Sequence, residues 1–287
     1  PDDYDNLAIQ ADQRGVGTLN NTYANLKVDF NLDKVKLTSL TTYNKAERNA
    51  FGDLDFTPAD VLRQDQDSDT KTFNQEIRLG SVSNSDSKLN WDLGAFYQNL
   101  DKTLITRASA DFGFFAPPFM PTGTQSQLAV GDFTNTYKTF AVFGFVDYKV
   151  SDKLTLSAGL RYDNDNISQD NRSEGTNPSR VDTQVQPKVS LAFQATDNML
   201  MYVNYGKGYR TGGFNQGQTV RYGTDFSAET TDNYEIGIKN TYWDNRFILN
   251  LSGYYIDFTD QQLYALVLDG GAGQILIGNF NVPESRF

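Results

Sequence analysis

Leu154-Thr155-Leu156-Ser157-Ala158-Gly159-Leu160-Arg161-Tyr162 alternates without a break. Leu154, Leu156, Ala158, Leu160 and Tyr162 share one face of an extended chain, while Thr155, Ser157, Gly159 and Arg161 share the other. Side chains along a strand point to opposite faces in turn, so this stretch has one lipid-like side and one water-like side. The pattern recurs at Leu89, Trp91, Leu93, Ala95 and Tyr97, opposed by Asn90, Asp92, Gly94 and Gln98. It recurs again at Phe247, Leu249, Leu251, Gly253 and Tyr255, opposed by Arg246, Asn250 and Ser252. Weaker alternation runs from Ala24 to Phe30, Phe73 to Leu79, Val142 to Val150, Val189 to Phe193 and Tyr234 to Tyr242.

A soluble sandwich also alternates, so the connections decide. Tight polar turns fall at Asn31-Leu32-Asp33-Lys34, Asn84-Ser85-Asp86-Ser87, Ser151-Asp152-Lys153, Thr196-Asp197-Asn198 and Asp244-Asn245. Between them lie long segments over Asn49 to Thr70, Arg107 to Asn135, Asn166 to Asp182, Arg210 to Ala228 and Asp260 to Gly273, read as loops. Short turns on one rim and long connections on the other define a transmembrane antiparallel β-barrel in an outer membrane, with the turns periplasmic. The fold class is all-β, with about ten complete strands and an eleventh beginning near Gln274, several longer than the roughly nine to eleven residues that cross a bilayer. The chain opens at Pro1 and stops at Phe287, which reads as two cuts.

Composition excludes much else. The 287 residues contain no Cys and no His, which removes disulfides, thiolate or imidazole metal sites and the usual nucleophile–base couples. No catalytic residue, cofactor or metal site is expected. The formal charge of −11 argues against nucleic acid. No segment reaches the roughly eighteen consecutive apolar residues of a membrane helix. The water-like face carries Asn90, Asp92, Gln98, Ser157, Arg161, Lys188, Ser190, Glu235 and Lys239, which suits a wide wet lumen better than a narrow self-filled one.

Three groups of residues are candidates for binding. Asp111-Phe112-Gly113-Phe114-Phe115-Ala116-Pro117-Pro118-Phe119-Met120-Pro121 puts four Phe into a loop that should be wet. Phe112, Phe114, Phe115 and Phe119 could pack on a flat ligand, or the loop could pack on its neighbours or wet the lipid headgroups. Tyr209, Arg210, Arg221 and Tyr222 could bind an anionic chelate, or serve the architecture around Gly208. Asp163, Asp165 and Asp170 with Asn164, Asn166 and Asn171 begin like a calcium loop but lack its Gly and bidentate Glu, and read as a solvated loop. Gly206-Lys207-Gly208 and Gly270-Gly271-Ala272-Gly273 lack the ending of a phosphate loop.

Seven phrases, in order, resemble strands of the TonB-dependent receptors. Lys36 to Tyr43 (KLTSLTTY) is similar to "LTSITGY", Phe73 to Ser81 (FNQEIRLGS) to "FSQELRLAS" and Leu89 to Tyr97 (LNWDLGAFY) to "LNWVLGLFY". Leu154 to Tyr162 is similar to "LSLTAGLRY" and Pro187 to Leu191 to "PKVSL", while Tyr205 to Asn215 (YGKGYRTGGFN) is similar to "YSKGFRSGGFN" and Glu229 to Lys239 to "ETVDNYELGLK". The resemblance implies that residues 1–287 are part of a barrel of about 22 strands whose plug and closing strands lie outside this chain. It further implies import of a scarce nutrient, a ferric siderophore before vitamin B12 or a carbohydrate. The implied partners are that extracellular ligand, the outer-membrane lipid and the inner-membrane TonB complex, engaged through segments not present here. A passive porin-like channel is the alternative, and an outer-membrane hydrolase is disfavoured by the lack of His.

Overall fold

The computed structural model describes residues 11–55, 57–82, 87–111, 113, 123, 125–215, 223–244, 246–269 and 274–286. In chain order the strands are β1 (Val16–Asn31), β2 (Val35–Asp53), β3 (Leu62–Ser81), β4 (Leu89–Asp111), β5 (Gln125–Lys149), β6 (Leu154–Asn171), β7 (Ser179–Thr196), β8 (Met199–Arg210), β9 (Gly213–Phe214), β10 (Asp225–Phe226), β11 (Glu229–Tyr242), β12 (Phe247–Asp269) and β13 (Gln274–Arg286). Eleven of them form one antiparallel sheet in the order β1-β2-β3-β4-β5-β6-β7-β8-β11-β12-β13, while β9 and β10 pair with each other inside the β8–β11 connection. Each long strand pairs with the next, which is the up-and-down meander of a barrel wall, and the sheet is open with β1 and β13 at its edges. The eleventh strand starts at Gln274, as the alternation suggests.

The two faces separate by chemistry as the dyad pattern requires. On β6, Leu156 and Leu160 are 39% and 56% exposed on the outer face, whereas the inward Asp163, Asp165, Gln169 and Asn171 are buried among neighbours. The outward row of each long strand from β2 to β12, except β7, rises to an aromatic residue: Tyr43, Phe73, Tyr97, Phe140, Tyr162, Tyr205, Tyr234 and Tyr255; below it the rows are mostly apolar, with Ser39, Thr41 and Gln75 bonding one another on β2 and β3. Such a row is the interfacial girdle of a membrane barrel, where amphipathic rings sit at headgroup level. Tyr205, Tyr234 and Tyr255 form a continuous ladder, with centroids 5.2 and 6.3 Å apart. Below the girdle the outward rows of β2 to β12 contain no charged residue. Above it, outward positions turn polar, as at Asn164, Asn166, Ser168 and Asp170 of β6.

Most of the segments read as long loops are strand instead. β2 continues to Asp53 and β3 begins at Leu62; β4 reaches Asp111 and β5 begins at Gln125. β6 reaches Asn171, where a solvated loop was expected, and β12 runs through Asp260 to Asp269. The reason is that both faces of the sheet are wet above the bilayer. The ladder continues there without needing an apolar face, so the dyad signal fades while the strand does not. β12 bends at Asp260, whose φ is 54° and which drops out of the pairing between Thr259 and Gln261. The described residues of the β8–β11 connection keep much of the irregular character expected of it.

On the inner face, rings lie against the wall and fill space left by missing side chains. Phe143 covers Gly94, where a Cβ would fall 2.3 Å from the ring. Arg78 and Arg161 flank that ring, at 5.5 and 5.7 Å from its centroid. All four residues lie on one rung, Arg78–Gly94–Phe143–Arg161.

Candidate functional site at the outer rim

Above the girdle the inner face of β6 and β7 carries a dense polar network. Arg161 donates to both Asp163 carboxylate oxygens, at 2.7 to 3.0 Å, and Gln186 donates to Asp163 Oδ2 at 2.6 Å. Asp165 faces Asp182 across the β6–β7 ladder. Its carboxylate accepts hydrogen bonds from the Thr139 and Tyr209 hydroxyls, the latter at 2.9 Å. Burial pushes the Asp165 carboxyl above the usual carboxylate range, and the Asp163 and Asp182 charges act the same way against the hydroxyls' opposite pull. Burial also raises the Tyr209 phenol, aided by the Asp165 charge, so it stays a donor.

The β7–β8 ladder ends at Lys188–Gly206 while β8 stays paired with β11 to Arg210; the described residues 211–215 and 223–228 that follow form the two ends of a strap outside the main sheet. Asp182 anchors its near end, accepting from the Gly212 amide at 2.8 Å and the Thr211 hydroxyl at 3.2 Å. Arg180 binds Asp182 at 2.7 Å, Asp225 at 3.2 Å and the Phe226 carbonyl at 2.8 Å. No side chain fits at Gly212, because a Cβ there would stand 2.5 Å from the Phe226 carbonyl and 2.9 Å from the Arg180 guanidinium carbon. Carboxamides hold the far end. Asn215 receives the Asn279 amide at 2.7 Å and donates to the Asn279 carbonyl at 2.9 Å. Asn281 does the same for Ser227, at 2.7 and 3.0 Å, and Gln262 donates to the Thr211 and Ser227 carbonyls.

Of the predicted residues, Tyr209 and Arg210 lie at the root of this strap but are engaged differently. Tyr209 binds Asp165, while Arg210 pairs with Glu229 at 3.2 Å and the Gln262 carbonyl at 2.9 Å. Arg221 and Tyr222, like Phe112, Phe114, Phe115 and Phe119, lie outside the described residues. The base of the aromatic segment is described: buried Asp111 accepts from the Gly113 amide at 2.9 Å and the Gly123 amide at 2.6 Å, drawing its ends together. That base stands fifteen residues of β5 beyond Phe140, roughly 35–40 Å above the girdle for a tilted strand. The Asp/Asn run of β6 is split by alternation, with Asp163, Asp165 and Asn171 inward and Asn164, Asn166 and Asp170 outward, so it cannot wrap one cation. No acidic group placed to hold a metal occurs among the described residues. Asp182, Arg180, Asn215, Gln262 and Asn281 went unnoticed in the sequence; the one local signal was Gly212-Gly213, a pair that asks for close backbone approach.

Comparison with known families matches the whole of residues 1–287 to the TonB dependent receptor-like, beta-barrel family. The chain belongs to that family. Solved structures agree on the fold. The ferric yersiniabactin uptake receptor FyuA from Yersinia pestis superposes with a TM-score of 0.69 over 85% of this chain at 18% identity. The siderophore receptor PiuA from Acinetobacter baumannii gives 0.70 over 95% at 15% identity, and the copper transporter OprC gives 0.70 over 96% at 15% identity. The chain spans 36%, 44% and 43% of those three proteins. As a TonB-dependent receptor wall it is an outer-membrane element, with the girdle marking the outer interface and the strap on the extracellular side. The receptor-like phrase Tyr205 to Asn215 is the stretch that leaves β8 and forms the strap's first anchors.

Proposed function

We propose that residues 1–287 are part of the barrel of an energy-coupled outer-membrane importer whose cargo is a ferric siderophore. Plug and closing strands lie outside this chain, and the inner-membrane TonB complex acts through them. The observation that carries this reading is the inner face at the outer rim, a hydrogen-bonded vestibule of carboxylates, guanidinium groups and phenols above an apolar outer band. A wall of this kind binds and passes a polar solute and does no covalent chemistry. Support for an iron chelate comes from neighbours described as receptors for ferric yersiniabactin and as a transporter of ferric citrate. Phe112, Phe114, Phe115, Phe119, Arg221 and Tyr222 are the proposed ligand contacts, with Tyr209 and Arg210 holding the strap that carries the last two.

The test is uptake of radio-iron by cells whose sole receptor is the full-length protein, offered a panel of ferric siderophores, with and without TonB. Saturable uptake of one siderophore that stops without TonB is the expected result. Uptake indifferent to TonB, with steady conductance of the purified protein in planar bilayers, would establish a passive channel instead.

A further inference from the structure

β7 and β8 separate before either strand ends. Their ladder stops at Lys188–Gly206, yet β7 stays paired with β6 as far as Ser179, and β8 with β11 as far as Arg210. The next residue of that ladder on β7 is Pro187, which has no amide hydrogen to give. Above it Tyr209 and Gly212 donate to Asp165 and Asp182 on the inner face, so β8 passes to the lumen side of β7 and leaves its edge uncovered from outside. The register says which groups that edge presents. Gln169 and Asn171 donate backbone hydrogen bonds to Pro178 and Thr176, and the ladder continues unbroken, so Arg180, Asp182, Gln184 and Gln186 turn their backbone groups to β6. Ser179, Val181, Thr183 and Val185 therefore turn theirs to the seam. Among the described residues no backbone group bonds these four there; the Val185 carbonyl accepts from the adjacent Gln184 side chain at 3.0 Å. Their side chains are out of place as well. Val185 pairs with Tyr162 of the girdle and Val181 stands higher still, where the β6 row has turned to Asn164 and Asn166, yet the two valines are 48% and 59% exposed.

We propose that this edge is a docking site for an extended segment of a second polypeptide, which adds to β7 as an antiparallel strand on the extracellular side. The seam offers backbone donors and acceptors at two-residue intervals, and a polypeptide is the class of ligand whose own backbone repeats at that interval. Edge strands are ordinarily blunted by a charge, a proline or a bulge, because an open edge pairs with whatever strand it meets. Here the outward residues Ser179, Val181, Thr183 and Val185 carry no charge, and the proline stands only at the foot, where it sets the lower limit of the site. The stretch Ser179–Val185 takes a segment of about seven residues. β-Branched residues at every second position of that segment would lie beside Val181, Thr183 and Val185. β8 and β11 flank the seam, so a whole sheet cannot approach β7 edge-on, whereas a lone extended chain can.

The probe is a fluorescent synthetic peptide of alternating valine and threonine, with lysines at both ends and a benzophenone side chain at its centre. It is titrated against the purified full-length receptor by fluorescence anisotropy and then photocrosslinked. Saturable binding, with crosslinks confined to β7 and β8 above Lys188–Gly206, is the expected result. Thr183→Pro removes a seam-facing amide without removing a bond to β6 and should weaken binding about tenfold, whereas Thr183→Ala should bind as the wild type does. Peptide N-methylated at the amides that face β7 should not bind the wild type, while methylation of the alternate amides should be tolerated. That comparison stands even if Thr183→Pro fails to fold, as judged by heat-dependent electrophoretic mobility. No saturable binding to the wild type, or equal binding of the two methylated peptides, overturns the proposal. So does self-association of the receptor that the peptide blocks, which would give the edge to a second copy.

Discussion

Leu156 and Ser157 are neighbours in sequence and opposites in environment. Leu156 is exposed on the outer face in the middle of the apolar band, while Ser157 faces inward and donates to Asp147. Arginine at Leu156 should therefore cost roughly 2–4 kcal/mol of barrel stability, and arginine at Ser157 far less. Heat-dependent mobility of the two full-length variants checks this, and equal defects would mean that the facing is inverted. Asp165 makes a prediction about pH. Its carboxyl is raised above 3.8 in the folded protein, so the ionised form is disfavoured there relative to the unfolded chain. Its contribution to stability is best below the unfolded value, declines as pH rises through the raised one, and is flat beyond. Melting of the detergent-solubilised receptor between about pH 4 and 7 should show this decline in the wild type and lose it in Asp165→Asn. At this scale the sequence showed which residues could bind but not what they bind. Tyr209 and Arg210 suit an anionic ligand by type, yet their partners, Asp165 and Glu229, are 44 and 19 residues away and meet them only through the pairing of strands.

The strap is where an element depends on a few atoms. Gly212→Val would drive a side chain into the Phe226 carbonyl and the Arg180 guanidinium, prising the strap from Asp182. Asn281→Ala would leave the exposed Ser227 amide to water and its carbonyl to Gln262 alone, at a cost of about 0.5–1.5 kcal/mol for each bond lost. Both variants should leave the barrel assembled while limited proteolysis within residues 216–222 speeds up. Unchanged cleavage would show that the strap does not rely on these anchors. Strands inside the bilayer were legible because lipid demands an apolar residue at every second position. Their extensions were not, because water on both faces accepts any polar side chain, so Asp67 or Asn166 looks the same in a ladder as in a loop. The strap's staples were invisible for a related reason: an Asn that pairs with a distant backbone has no local pattern.

At the scale of the whole molecule, β1 and β13 are sheet edges whose free hydrogen-bonding groups could not remain in lipid. The 287-residue chain by itself should therefore aggregate or associate edge to edge in liposomes, whereas the full-length receptor inserts; a stable monomer with heat-dependent mobility from the chain alone would contradict this. The wall was legible as a wall because its periodicity repeats strand after strand, whereas the rim above it has no such repeat to read. The aromatic row carries one more consequence. It does not follow a single rung. The rung Lys36–Gly80–Asp92–Phe145–Gly159–Lys188–Gly206–Asn233–Ile256 crosses β2 to β12. Tyr43 stands seven residues above Lys36 and Tyr255 one below Ile256, a drop of eight residues over eight strand-to-strand steps. One residue of stagger per strand tilts the staves by about 35°, given spacings of roughly 3.3 Å along a strand and 4.8 Å between strands. Carried round to about 22 strands, that stagger closes on a radius of about 20 Å. The slope of a line of tyrosines thus sets the bore, and a bore that wide leaks freely unless something stands inside it.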